Sequence, residues 1–248
     1  MNNYIRLPLK NAYNVRDLGG YACIDGKSTK WRSFLRADNL ANLDAGEIQF
    51  LIDYGVTYVI DLRSKDELRL QPSPFSRLSA VDYINIPLMT DVTSNATRKL
   101  YNDIYDFLRH FYIGLIKNAS LIIKVIFERM EKHILKNNEA CILFHGSAGK
   151  DRTGIIAMLL LGLAGVEIPD IISNYESSET YIKQNPAFSK SISQFPDGVL
   201  TSKNEYIESV INYIVTKHKG IPQYLQRIGL SDETLEIIRS KIYDNGQN

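Results

Sequence analysis

Cysteine is scarce in this 248-residue chain: there are two, Cys23 and Cys141, far apart and in no metal-ligand spacing. That excludes a disulfide framework and points to a reduced compartment or simple packing. Net charge is almost absent, at +1. The chain therefore has no footprint for nucleic acid or an anionic membrane, and any anion recognition must be local. Long apolar runs are missing too. The longest, Ile155 to Val166, is too short to cross a bilayer and contains two glycines, so no stable membrane insertion is expected. The N-terminal Met1 to Lys10 lacks the apolar centre of a signal peptide. The expected location is the cytoplasm, with export by a route that needs no such peptide left open. Neither repeats nor low-complexity tracts occur. What remains is an ordinary soluble composition, 44% apolar and 23% charged, long enough for one large α/β domain or two small ones.

The informative stretch runs from Ala140 to Gly165. Ala140 to Phe144 suit a buried strand, and the polar run His145 to Arg152 follows. Thr153 and Gly154 then open an apolar helix that stops at Gly165. A loop between strand and helix aims several backbone N–H groups at one spot, and the helix dipole adds positive potential there. Gly146 and Gly149 permit close approach of a ligand, and Arg152 can clasp an anion with two hydrogen bonds. Physics alone makes this a site for a phosphate-like dianion.

His145 to Gly154 reads H-G-S-A-G-K-D-R-T-G. It resembles the H-C-x-x-G-K-D-R-T-G phosphate loop of the bacterial atypical cysteine-dependent protein tyrosine phosphatases, which act on phosphotyrosine and phosphoinositides. Every specified position fits except one: Gly146 stands where that family has its cysteine nucleophile. The resemblance extends to Asn14-Val15-Arg16-Asp17-Leu18-Gly19-Gly20, similar to the family's opening N-x-R-D-L-G-G. Arg36 matches the arginine of its R-S-x-x-L motif, with Ala37 in place of serine. Asp61-Leu62-Arg63 with Glu67 matches D-L-R-x-x-x-E.

Elsewhere the pattern predicts a hairpin about Asp25-Gly26, joining Tyr21–Ile24 to a strand around Trp31–Leu35. It predicts a helix from the cap Asp44 to about Tyr54, with Glu47 completing a capping box. Val56 to Ile60 reads as a buried parallel strand ending in the Asp61 cluster, and Tyr83 to Pro87 as another strand. Arg98 to Lys136 is helical, with Ser120 a cap for its second piece. Pro169–Ile182, Asn204–Thr216, Ile221–Ile228 and Ser231–Ile242 read as further helices. Asn185 to Thr201 is loop-like and placed to cover the site.

Other readings of the loop are weaker. A mere strand–helix turn does not need three charged residues after an apolar strand. A nucleotide P-loop fails for want of a glycine five residues before Gly149, and Asp151 replaces the magnesium-binding hydroxyl. A G-x-S-x-G elbow around Ser147 would need glycine at His145, and the later histidine, His218, falls on a surface helix. His145 reads as structural, and Cys141 and the tyrosines as core.

The expectation is one α/β domain over 1–248, a short, mostly parallel sheet flanked by helices, phosphotyrosine-phosphatase-like. The resemblance implies phosphomonoester hydrolysis on phosphorylated proteins or phosphoinositides, with no metal or cofactor. Its site would comprise position 146 for the nucleophile, Arg152, and either Asp151 or Asp61 as general acid. Ser147, Ala148, Gly149, Lys150 and Arg63 would bind substrate, and phosphate or sulfate would fit the loop. Glycine cannot attack phosphorus, so the chain as it stands should not turn over. Two explanations compete: a laboratory substitution for cysteine, or a natural phosphatase-like module that binds phosphorylated ligands. The intact Lys150, Asp151 and Arg152 favour the first.

Overall fold

The computed structural model describes residues 2–88, 104–186, 188 and 200–243. Its centre is a sheet of strands β1 (Arg16–Asp17), β2 (Phe34–Ala37), β3 (Val56–Asp61), β4 (Asp82–Asn85) and β5 (Cys141–His145). The order is β1-β2-β5-β3-β4. Only β1 pairs antiparallel; β2, β5, β3 and β4 are parallel to one another. The helices are α1 (Ala45–Asp53), α2 (Lys65–Leu70), α3 (Ile104–Asn118), α4 (Ser120–Lys136), α5 (Asp151–Leu163), α6 (Ile168–Ile182), α7 (Asn204–His218), α8 (Ile221–Arg227) and α9 (Asp232–Ile242).

Alternation along the strands divides the core in two. Phe34, Tyr58, Ile60, Ile142 and Phe144 face the thick layer containing α5, with α3, α4 and α6–α9 around it. Leu35, Val56, Val59, Cys141 and Leu143 face the other way. There α1 contributes Leu51, and the extended N-terminal chain contributes Leu7, Leu9, Ala12 and Val15. The second face is thus covered partly by extended chain and not by helices alone. Helix α5 is buried all round because other helices enclose it on the sheet, which explains an apolar run without a polar stripe.

Local signals worked where they are self-contained. Asp44 caps α1 with Glu47 in a reciprocal capping box, and Ser231 caps α9. The turn at Asp25-Gly26 forms, with Gly26 at φ +81° and Cys23 N–H donating to Lys27 O. Its second arm does not continue as expected: β2 instead joins β1 and β5, because both faces of Phe34–Ala37 are needed in the core. Ser120 is inside α4, which Ala119 precedes without any side-chain cap. Helix α5 starts at Asp151, two positions before the apolar run, so Asp151 and Arg152 occupy its first turn. The start of the Arg98–Lys136 prediction and most of Asn185–Thr201 lie outside the described residues. Among the described residues no single helix is long and apolar enough to cross a membrane.

Candidate functional site

The turn between β5 and α5 is fastened from behind. Asn14 Nδ2 donates to Ala148 O at 3.0 Å and Gly149 O at 3.1 Å. Arg36 Nη2 donates to Gly149 O at 2.7 Å, and Asn39 N–H to Ser147 O at 3.0 Å. In a trans peptide the N–H points opposite to the C=O. Tying the carbonyls of 147–149 backwards therefore turns the following amides forward. Among the described residues the amides of Ala148 and Gly149, which follow two of these carbonyls, have no carbonyl acceptor. The backbone passes so close to β2 that a Cβ on Gly149 would lie 2.7 Å from Asp38 N and 2.8 Å from Ala37 C. Its φ of +66° also requires glycine. Backbone N–H groups gathered at a helix N-terminus in this way have the polarity to attract an anion.

The fastenings belong to a buried polar layer. Arg16 donates to Asn14 Oδ1 at 3.0 Å, Asn174 O at 2.5 Å and Ser178 Oγ at 2.7 Å. Arg36 also reaches Asn174 Oδ1 at 2.5 Å. Burial lowers both guanidinium pKa values, that of Arg16 to about 10. Asp38 accepts from the amides of Tyr13 and Asn14, and Asp17 from those of Gly19 and Arg32 and from the Tyr54 hydroxyl. Burial outweighs these bonds and pushes each carboxyl up to about 6.

Arg152 stands at the front. Its Nη1 and Nη2 form a fork on Glu67 at 2.7 and 2.8 Å, and Nη1 also reaches Leu62 O at 3.3 Å. Ser147 Oγ donates to Glu67 and lies 3.3 Å from Arg152 Nη2. Burial would raise the Glu67 pKa, but Arg152 and the Ser147 hydroxyl hold it down, at about 2. The same ion pair overcomes burial to raise the Arg152 pKa. Glu67 also accepts from Ser64 N–H in the capping box of α2. The sequence displayed Glu67 as a motif position without showing that it aims the arginine.

The two candidate acids differ sharply. Asp61 is fully buried and held by Arg63, Nε to Oδ1 at 3.0 Å and Nη2 to Oδ2 at 2.7 Å. Tyr83 donates to it at 3.0 Å, and His145 Nε2 lies 3.3 Å away without hydrogen-bond alignment. Burial alone would raise its pKa; His145 and Arg63 reverse that and hold it well below the carboxylate range. Asp151 is about a third exposed, at 30%, and lies 3.3 Å from Lys150 Nζ. Arg63 is turned to Asp61, Asn39 Oδ1 at 2.8 Å and Gln71 O at 2.9 Å, so its described contacts are structural. Lys150 is also packed inward, its Nζ donating to Thr201 O at 2.9 Å.

At Gly146 a side chain would sit tight against its neighbours. A Cβ there would point to Thr153 Oγ1 at 3.1 Å and to Arg152 Nε and Nη2 at 3.8 and 4.0 Å. Thr153 Oγ1 is buried and, among the described residues, has no hydrogen-bond partner. Position 146 thus lies beside the Arg152 guanidinium and the amides of the loop, groups whose chemistry suits an anion. Among the described residues no group of histidine, cysteine or carboxylate side chains could hold a metal ion.

Residues 7–244 match the tyrosine phosphatase family. A tyrosine-protein phosphatase of Nostoc commune is 28% identical over 226 residues, covering 86% of this chain and 75% of that protein. Among solved structures, a human tyrosine phosphatase-like serine/threonine/tyrosine-interacting protein aligns at TM-score 0.40 and 13% identity, over 74% of this chain and 92% of that one. TpbA of P. aeruginosa aligns at TM-score 0.37 and 10% identity, over 71% and 96%. Structural likenesses this low add no weight; the sequence matches carry the assignment.

Proposed function

Because the chain belongs to the tyrosine phosphatase family, we propose that its loop holds the phosphate of a phosphomonoester, on a phosphotyrosine protein or a phosphoinositide, and that Gly146 leaves it without the nucleophile. Arg152 and the forward amides bind the dianion, and Glu67 holds Arg152 in register. Ala148 and Gly149 act through backbone, while Lys150 and Arg63 brace the loop from the side. With a cysteine at 146, sulfur would attack phosphorus as the bond to the leaving oxygen breaks. Asp151 would give that oxygen its proton, and water would then release phosphate. Asp151 suits this part better than Asp61, which is locked as a carboxylate by Arg63.

The observation that carries the reading is the match of His145 to Gly154 to the family's phosphate loop at every specified position but 146, with Arg152 held beside that position by Glu67. The intact Lys150, Asp151 and Arg152 favour an engineered replacement of a cysteine over a natural phosphatase-like module that binds phosphorylated ligands. The serine-hydrolase alternative loses ground, because Ser147 Oγ is engaged by Glu67 and Arg152 and not by a histidine.

The test is Gly146→Cys. A thiol at a helix N-terminus beside arginine has a lowered pKa, and hydrolysis of p-nitrophenyl phosphate should rise on the order of 10⁴- to 10⁶-fold over the glycine form. Arg152→Ala in the cysteine background should abolish the gain. Turnover by the glycine form itself would overturn the nucleophile assignment. A folded cysteine form that binds phosphate but hydrolyses no aryl phosphate, phosphotyrosine peptide or phosphoinositide would establish a binding module.

A further inference from the structure

We propose that Tyr112, backed by Tyr175, is the positioning residue for Asp151, fixing which carboxyl oxygen carries the proton to the leaving group. This rests on the reading above, in which Asp151 is the acid. Tyr112 on α3 donates its hydroxyl to Asp151 Oδ1. Tyr175 on α6 places its own hydroxyl 2.6 Å from that of Tyr112. The rings meet edge to face, 6.1 Å apart at 87°, and both are buried. Gly154 makes room for this, since a Cβ there would lie 3.1 Å from the Tyr175 ring.

The hydrogen directions follow. A carboxyl oxygen that is not protonated only accepts, so Tyr112 donates to Asp151 and Tyr175 donates to Tyr112. The charged neighbour Lys150 also lies on Oδ1, at 3.3 Å. With Oδ1 occupied by donors, a proton on Asp151 resides on Oδ2, and that oxygen alone serves the leaving group. Burial, with the nearby Asp151 charge, holds both phenols well above their ordinary pKa, so they remain neutral donors. Two helices remote in sequence thus converge on one carboxyl in the first turn of a third.

The experiment compares phenyl phosphate, whose leaving group needs a proton, with dinitrophenyl phosphate, whose leaving group does not, in the Gly146→Cys background. Asp151→Asn should lower kcat at least ~100-fold on the phenyl ester and little on the dinitrophenyl ester. Tyr112→Phe should lower kcat about tenfold on the phenyl ester alone, the scale of one hydrogen bond to a charged group. Inhibition by inorganic phosphate should stay unchanged in both. If Asp151→Asn shows no such selectivity, the acid assignment falls and this inference with it. If Asp151→Asn is selective but Tyr112→Phe is silent, or slows both esters equally, only the positioning role is overturned. A measurement without turnover stands beside these: in the glycine chain, Tyr112→Phe should shift the carbon-13 carboxyl signal of Asp151 at neutral pH and leave that of Asp170 in place. An unmoved Asp151 signal would also overturn the proposal.

Discussion

The back and the front of the loop are built from different material. Behind it, Asn14, Arg16, Arg36 and Asp38 are all buried, and their hydrogen bonds run to backbone, to one another or to the side chains of Asn174 and Ser178. In front, Arg152, Glu67 and Asp151 are partly exposed, at 18%, 33% and 30%. The back sets the path of the chain, and the front supplies groups that can meet a ligand. A change at position 146, which lies between the two, should therefore leave the fastenings behind the loop in place. Loss at the back should remove the cradle itself.

The sharpest way to break the comparison is at Gly149. Gly149→Val puts a branched side chain at positive φ and into the backbone of Ala37 and Asp38. It should cost about 3 kcal/mol or more of stability, read by urea denaturation, and phosphate binding should vanish with it. Next is Arg36→Met, which removes one of the two donors to Gly149 O and the donor to Asn174 Oδ1. A loss of roughly 2–4 kcal/mol is expected. A phosphate affinity that survived either change would mean that the back does not shape the front.

A smaller effect separates the two regions by pH. The Asp38 carboxyl goes from an ordinary 3.8 to about 6 on folding. Its contribution is full below the unfolded value and is lost as pH rises through the folded one. The advantage of the parent over Asp38→Asn should therefore shrink between about pH 4 and 6, by on the order of 2–3 kcal/mol. Glu67 behaves oppositely: its pKa is lowered from 4.5 to about 2, so its contribution is present above 4.5 and lost as pH falls towards 2. Denaturation at pH 4 and pH 7 of parent and variant tests the first sign. An advantage that grew with pH would contradict it.

The same division decides what the sequence revealed. Features with local causes were legible: the capping box of α1, the apolar runs of β3 and β5, the caps and charges of α9. So was the loop, because its glycines, Lys150, Asp151 and Arg152 are contiguous. The partners that hold it are 113 and 135 positions away, as with Arg36 and Asn14, and no local pattern announces such contacts. Arg16, Arg36 and Glu67 were visible only as motif positions. Asp61 and Arg63 read as a charged ligand site at a strand end, yet they neutralise each other inside the protein. Tyr112 and Tyr175 passed for core because their rings are core; only the hydroxyls differ.

If the loop binds phosphate without a residue at position 146 that can attack it, as we propose, a titration of the unaltered chain with inorganic phosphate shows it most directly. Amide NMR signals of Ser147 to Arg152 should move together and saturate. Arg152→Ala should weaken the affinity at least about tenfold and Ser147→Ala no more than about threefold, since a charge-assisted fork contributes more than one hydroxyl. Signals that stay still in the loop while phosphate binds elsewhere, or a larger loss for Ser147→Ala than for Arg152→Ala, would contradict the account.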